Sequence, residues 1–459
     1  MVIFNKKTYF IETYGCTANT ADSLRIIRQL TENRWSSVSS PEEAEITILN
    51  TCGVKNPTEY KIIKRIKSLS KINSTKLIIT GCLPAISYKK IIKAAPNFGL
   101  IFDTKSTHLF TNFIHKLEEG KTGLTYFTPS KESENKIEIL PVLNSEIIGI
   151  LAINEGCDGN CSFCGTKIAR GNTVPFSPKK LYKQAEYFLK SGAKILWTTS
   201  QDTGAYYWHG EDFYWELPEL LNFLCQLPYE FRLRLGMINP DHVLRLNDRL
   251  IDTFKENKEL FYFLHIPVQS GSNRILNLMK RRYTVEEFIM IIDHYKQISP
   301  NFTLSTDIIT GFPTETDEDF QQTLDLIDGI CPDVLNISRY GARPGTLAAK
   351  MNGQIHERTS KERSRILTLN WQEKVTKHNK KWINWEGNVI IEEEGKRLTD
   401  DGKKTFVGRN DFYRPIIISE DNFIENPLGK VYKVRITDSS THYLIGETLE
   451  QIIPIYLPK

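Results

Sequence analysis

The strongest constraint on this chain is a sustained alternation of short apolar runs with amphipathic helical stretches. The runs are Ile147 to Ile153, Lys194 to Thr199, Phe231 to Met237, Phe261 to Pro267, Thr303 to Ile309 and Val334 to Ser338. Helix signals separate them. Ser177 followed by Pro178 marks one helix start. Thr316 ahead of Asp317, Glu318 and Asp319 marks another, where carboxylates suit the positive end of the helix dipole. Six strand–helix units in a row predict a barrel or partial barrel of parallel strands, with a doubly wound sheet as the competing arrangement.

A shorter alternation opens the chain. Thr8 to Tyr14, Glu45 to Asn50 and Lys76 to Thr80 read as strands, with helices over Ala21 to Leu30, from Pro57 and from Ile86. This predicts a small parallel α/β domain over 1–118. A polar stretch containing PSKESENKIE follows and reads as a linker over 119–143. The central strand–helix unit then covers 144–381 and ends in a long polar helix, Glu357 to Lys381. Beyond it helical periodicity stops. Gly387 to Glu393, Lys404 to Val407, Arg414 to Ile418, Gly429 to Ile436 and Tyr443 to Glu447 predict a small β-barrel over 382–451. A chain of 459 residues has room for these units. No apolar run approaches a membrane span, and MVIFNKKTYF has no apolar leader pattern. The expectation is a cytoplasmic protein with no membrane partner.

In a reducing compartment the eight cysteines are better read as ligands than as disulfides. Cys157, Cys161 and Cys164 form a CxxxCxxC loop directly after the first run of the central unit. Three thiolates this close can hold three irons of a cubane and leave the fourth open to a small molecule's amino and carboxylate groups. A structural zinc site normally takes four ligands in paired spacing, and no fourth Cys or His lies nearby. Active sites of parallel barrels sit where this loop sits, at strand C-terminal ends. Cys16, Cys52 and Cys82 also follow strands, in ETYGC, LNTCG and IITGC, each beside a glycine. Loops at that edge of a parallel sheet converge, so these thiols predict a triad of their own; buried core cysteines are the plainer alternative. Cys225 and Cys331 read as inert.

The CxxxCxxC loop, with an aromatic residue before its last Cys, resembles the radical S-adenosylmethionine (SAM) fold. The resemblance implies a [4Fe-4S] cluster on Cys157, Cys161 and Cys164 whose open iron binds SAM. One electron then cleaves SAM to a 5′-deoxyadenosyl radical that abstracts hydrogen. Both triads together resemble the radical SAM methylthiotransferases over nearly the whole chain. The likeness extends to His265 to Leu276 (HIPVQSGSNRIL), Met279 to Thr284 (MKRRYT), Asp307 to Thr316 (DIITGFPTET) and Arg343 to Thr346 (RPGT). It implies a second [4Fe-4S] cluster on Cys16, Cys52 and Cys82, where sulfur is methylated. TKIARG (Thr166 to Gly171) and TSQDTGAYYW (Thr199 to Trp208) resemble the branch that converts N6-threonylcarbamoyladenosine 37 of the tRNA anticodon loop to its 2-methylthio form. The absence of an apolar tail resembles the soluble archaeal type; VPFSP after ARGN is less typical. Implied partners are tRNA, an electron donor and a possible sulfur donor.

Candidate SAM contacts are Gln201 and Asp202 after the second barrel strand, Gln269 and Ser270 after the fourth, Ser305 and Asp307 in the fifth, and Arg343 as a planar fork for a carboxylate or phosphate. Each has a plainer reading as loop, barrel filling or salt bridge. Gly311, Phe312 and Pro313 read as a turn. The terminal domain resembles a TRAM RNA-binding module. It is rich in Lys and Arg, with Phe406, Phe412 and Tyr413 interleaved, which suits phosphates and unpaired bases. The net charge of +4 neither demands nor excludes RNA. Competing functions are methylthiolation of isopentenyladenosine or of a ribosomal-protein Asp, the latter suited to a more acidic terminal domain. A non-catalytic iron–sulfur RNA-binding protein is the reading from another class.

Overall fold

The computed structural model describes residues 7–53, 56–210, 213–399 and 401–452; the first six residues lie outside it. The N-terminal unit is a six-stranded sheet, parallel throughout, in the order Ser36–Ser37, Thr8–Thr13, Ile46–Thr51, Leu77–Gly81, Leu100–Phe102, Leu124–Tyr126. Strand order reverses beside Thr8–Thr13, and the crevice at such a switch point is where open α/β sheets bind ligands. Cys16 and Cys52 follow the two strands that flank it. Three of the six strands were not expected, and one lies in the stretch read as a linker. That stretch also holds a 3-10 segment, Ser130–Glu138, with Ser133, Lys136 and Ile137 buried. It is a packed connection with its own contacts, because Lys136 is drawn inside by acidic partners on both neighbouring units.

The central unit is a partial barrel. Ile148–Ala152, Ile195–Thr199 and Arg232–Arg234 form one parallel sheet; Phe263–His265, Thr303–Thr310 and Val334–Arg339 form the next. A parallel bridge between Leu233 and Leu260 joins them. Neighbours in the sheet are therefore neighbours in the chain, with no reversal, which decides for the barrel against the doubly wound alternative. Helix Pro178–Lys190 buries Leu181, Ala185, Phe188 and Leu189. Its Phe188 lies so close to the first strand that a Cβ at Gly149 would be 2.7 Å from the ring. A hairpin of Tyr207–His209 with Tyr214–Glu216, missed in the sequence, follows the second strand.

The C-terminal unit is the expected closed five-stranded barrel, Glu386–Glu394, Thr405–Asn410, Pro415–Ser419, Leu444–Ile452 and Val431–Ser439 in spatial order. It docks on the rim where the central strands begin. Tyr413 packs between Phe261 and Phe263, at ring-centroid distances of 4.9 and 5.1 Å, beside Ile147, Ile148 and Ile195. The buried Arg414 bonds Asp333 (2.8 Å) and Asn379 (2.6 Å). For Tyr413, which is buried, this corrects the reading of the interleaved aromatics as stacking platforms; Phe406 and Phe412 are half-buried. Phe406 faces Phe423, and Phe412 packs on Tyr262 and Trp382. Arg409 and Arg414 are likewise consumed in ion pairs with Glu392 and Asp333. Among the described residues, no helix is long and apolar enough to cross a membrane.

Candidate metal centres and the adjoining cavity

Each cysteine of the first triad is placed by a strand end. Cys16 and Cys82 stand at the N-termini of helices Thr17–Glu32 and Leu83–Ala94, where the positive end of the helix dipole suits an anionic ligand set. Cys52 follows the strand between theirs, and the Cys82 N–H donates to the Thr51 carbonyl at 2.8 Å. Gly15 (φ +121°) and Gly81 (φ +94°) let these loops nest: a Cβ at Gly81 would lie 2.2 Å from the Thr51 oxygen. Burial pushes the Cys82 thiol up to about 12; the nearby Arg170 opposes the rise, while Cys16 and Cys52 add to it. The three sulfurs thus feel one another. Binding iron must displace the protons that burial retains.

The second triad lies in the loop after the first barrel strand. Gly156 (φ +82°) makes its turn, with space for no side chain: a Cβ there would lie 2.1 Å from the Asn172 carbonyl oxygen. Each sulfur receives a hydrogen bond. The Gly159 N–H donates to Cys157 at 3.3 Å, the Thr166 N–H to Cys164 at 3.4 Å, and the Arg281 guanidinium to Cys161 at 3.2 Å. Burial pushes the Cys157 thiol up to about 12, and it also raises the Cys164 thiol. Three aimed donors, one of them a guanidinium, suit an anionic thiolate cluster, whose potential such bonds tune. Among the described residues no three His, Cys, Asp or Glu side chains form a group that could hold a metal ion. A cubane is a wider object, with one thiolate on each of three irons.

The two triads adjoin. Ile86, four residues past Cys82, lies 2.5 Å from the position of a Cβ on Gly53 and 3.4 Å from that of a Cβ on Gly165. Its helix packs on helix Thr166–Arg170. Beside Cys164 opens a cavity of about 860 Å³, lined among others by Phe163, Gln269, Asp307, Asn336, Arg339 and Arg343. That is the scale of a small-molecule site.

Of the candidate contacts, Gln269, Asp307 and Arg343 line this cavity, and Gln201, Asp202, Ser270 and Ser305 do not. Asp307 Oδ1 lies 3.0 Å from His265 Nε2 and accepts from Asn336 Nδ2 at 2.8 Å. Arg343 is held by Glu59 of the N-terminal unit at 2.6 Å, both buried. Gln201 accepts the Gly156 N–H at 2.7 Å and so braces the cysteine loop. Asp202 is fully buried and accepts from the Gly204 N–H and from the Asn239 backbone and side chain. Ser270 accepts the Ser272 N–H, and Ser305 is buried in its strand. Gly311, as read, makes a turn at φ +72°, its N–H donated to Glu315. Sequence reasoning missed Arg170, Arg281, Asn336 and Arg339. The first two stood in quoted motifs, but nothing local marked them as sulfur neighbours.

Comparison with known proteins places these features. Residues 8–103 match the family described as Uncharacterized protein family UPF0004, and residues 151–327 match the Radical SAM superfamily. A Pyrococcus horikoshii protein named "Probable threonylcarbamoyladenosine tRNA methylthiotransferase" is 37% identical over 96% of this chain and 99% of its own length. Proteins of the same name from Archaeoglobus fulgidus (38%; 95% of this chain, 97% of the relative) and Methanocaldococcus jannaschii (36%; 98% of each) also match. In fold, the chain resembles the radical S-adenosylmethionine methyltransferase TsrM from Kitasatospora setae, with a TM-score of 0.55 and 10% identity over 74% of both chains. With this agreement end to end, the chain belongs to the radical SAM methylthiotransferases, in the archaeal/eukaryotic-type threonylcarbamoyladenosine branch.

Proposed function

We propose that this enzyme attaches a methylthio group to N6-threonylcarbamoyladenosine at adenosine 37 of tRNA, with Cys157, Cys161 and Cys164 holding the SAM cluster and Cys16, Cys52 and Cys82 an auxiliary cluster at which sulfur is delivered. The observation that carries this reading is the juxtaposition of the two triads around Ile86, beside one cavity. The relatives' shared name supports the substrate. When bound, the open-iron cluster supplies the electron that cleaves SAM reductively.

The chain's own residues hold and orient. Gly159, Thr166 and Arg281 donate to the thiolate sulfurs, and Gln201 fixes the loop that carries them. His265 and Asn336 hold the Asp307 carboxylate at the cavity wall, where it can accept from SAM or from the nucleoside. Arg339 pairs only loosely with the exposed Glu357, at 3.3 Å. An exposed pair of this kind is worth little, so its guanidinium is available to the carboxylate of a threonylcarbamoyl group. An isopentenyl substituent offers no such partner. Electron and sulfur donors act from outside the chain.

The test is mass spectrometry of tRNA nucleosides from a host that makes threonylcarbamoyladenosine and lacks its methylthiolase, complemented with this chain or with Cys16→Ala. A 2-methylthio-threonylcarbamoyladenosine signal that the variant loses supports substrate and auxiliary triad together. Methylthiolated isopentenyladenosine instead would overturn the branch. No change in either nucleoside, with iron-loaded protein present, would redirect the search to a ribosomal-protein Asp.

A further inference from the structure

Behind the N-terminal triad lies a cluster of charges that the reaction outlined above does not use. Asp22 and Arg25 come from the helix that Cys16 caps, Lys136 from the connection, Glu155 from the residues before the second triad, and Arg170 from the helix after it. All five are at most 3% exposed. Arg170 donates to Glu155 at 2.6 Å, to Asn19 at 2.6 Å and to Asp22 at 3.0 Å. Lys136 bonds Glu155 at 2.8 Å and also pairs with Asp22. Arg25 gives its Nε–H to the Lys136 carbonyl at 3.0 Å, and its two terminal nitrogens find no hydrogen-bond partner.

Three cations here face two carboxylates. An uncompensated buried charge is expensive, so an anion close by is expected. What lies close by is the triad: Asn19 Oδ1, which accepts from Arg170 at 2.6 Å, also accepts from Cys82 Sγ at 3.7 Å. Three thiolates on a cubane core of two positive charges leave about one negative charge. The helix Thr166–Arg170 is moreover a five-residue strut. Its first N–H meets Cys164 of one triad, and its last side chain shares Asn19 Oδ1 with Cys82 of the other.

We propose that Arg170 is a positioning residue of the auxiliary centre: its guanidinium supplies the positive charge that balances an anionic cluster on Cys16, Cys52 and Cys82, and its fork between Glu155 and Asp22 fixes that cluster against the SAM loop. This rests on the two-cluster reading above. It assigns the Arg170 network an effect on the auxiliary reduction potential that a purely structural salt bridge would not have.

The experiment is EPR-monitored redox titration of the full chain carrying Cys157→Ala, Cys161→Ala and Cys164→Ala, so that only the auxiliary cluster is seen. Removing a positive charge disfavours reduction. Arg170→Gln is expected to lower the reduction equilibrium at least tenfold, about 59 mV for one electron. Asp22→Asn should raise the potential. The charge-neutral double variant Arg170→Gln/Asp22→Asn should return towards the parent value, and Arg170→Lys should stay near it. Loaded Arg170→Gln and Asp22→Asn chains with the parent potential would overturn the proposal. Where Arg170→Gln does not load, Asp22→Asn decides, and no upward shift overturns it. If the parent triple variant binds no cluster with Arg170 intact, the two-cluster reading fails first, and iron analysis distinguishes the two failures.

Discussion

Tyr413→Ala should release the C-terminal barrel from the central unit while sparing chemistry at the far end of the strands. The ring lies between Phe261 and Phe263, with the Arg409 guanidinium 4.4 Å and the Arg234 guanidinium 5.4 Å from its centroid. Two aromatic pairs contribute about 0.5–1.5 kcal/mol each beyond area burial, and truncating a buried aromatic residue costs about 3–5 kcal/mol in all. A loss near 4 kcal/mol of docking free energy follows, roughly a thousandfold in the undocked population. Tyr413 also has φ +59°, a left-handed conformation costing a non-glycine residue about 1–2 kcal/mol. Tyr413→Gly should therefore be more stable than Tyr413→Ala, the reverse of the usual order. Limited trypsin digestion at Lys380 and Lys381, in the turn that leads into the barrel, gives the readout, beside urea midpoints. Unchanged cleavage in the alanine variant, or a glycine variant weaker than the alanine one, would refute the docking argument.

Gly156→Ala should empty the SAM triad of iron but leave the N-terminal triad loaded, since a Cβ would collide with the Asn172 carbonyl; iron analysis and EPR check it. Arg339→Leu should raise KM for threonylcarbamoyladenosine tRNA about tenfold or more, the worth of one charged hydrogen bond, with SAM cleavage intact. Asp319 caps a helix and accepts from Arg274, Ser272 and Thr316; burial alone would raise its carboxyl, but these donors hold it well below the usual range. A depressed folded value means stability that is full above about pH 4 and lost as pH falls through the folded pKa. Asp319→Asn should thus cost about 1 kcal/mol or more at pH 7, and urea titrations should find the gap to the parent closing in strong acid.

The placement of the six cysteines at strand ends was legible because its signal is local: the CxxxCxxC spacing, and a strand end with an adjoining glycine. The partial barrel was legible from six well-spaced apolar runs, most with boundaries within two residues of the observed strands. Ser36–Ser37 and Leu100–Phe102 were not, because two or three residues show no periodicity. Composition misled where polar residues are buried by distant partners. Lys136 reads as linker until Arg25 and Asp22, more than a hundred residues earlier, are set against it. Arg343 reads as a ligand fork and does line the cavity, but Glu59, 284 residues away, takes its Nη1. Gln201 and Asp202 were placed at the right strand end, but sequence position does not say which way a side chain points. Both turn inward to brace backbone.

The same limit applied to the terminal barrel, and its placement changes how substrate has to approach. The barrel sits where the central strands begin, and the cysteine loops sit where they end. Helix Glu357–Asn379 spans the two: Glu357 and Ser360 line the cavity, and Asn379 bonds Arg414 at the barrel. Its 23 residues make about 35 Å. An RNA engaged at both ends must lie along this helix, whose cavity end exposes Arg358, Lys361 and Arg365 at helical spacing i, i+3 and i+7. Phosphate contacts set position without reading sequence. On the function proposed above, the barrel and helix would fix where the anticodon arm lies, and recognition of the modified base would fall to the cavity wall around Asp307, Asn336 and Arg339.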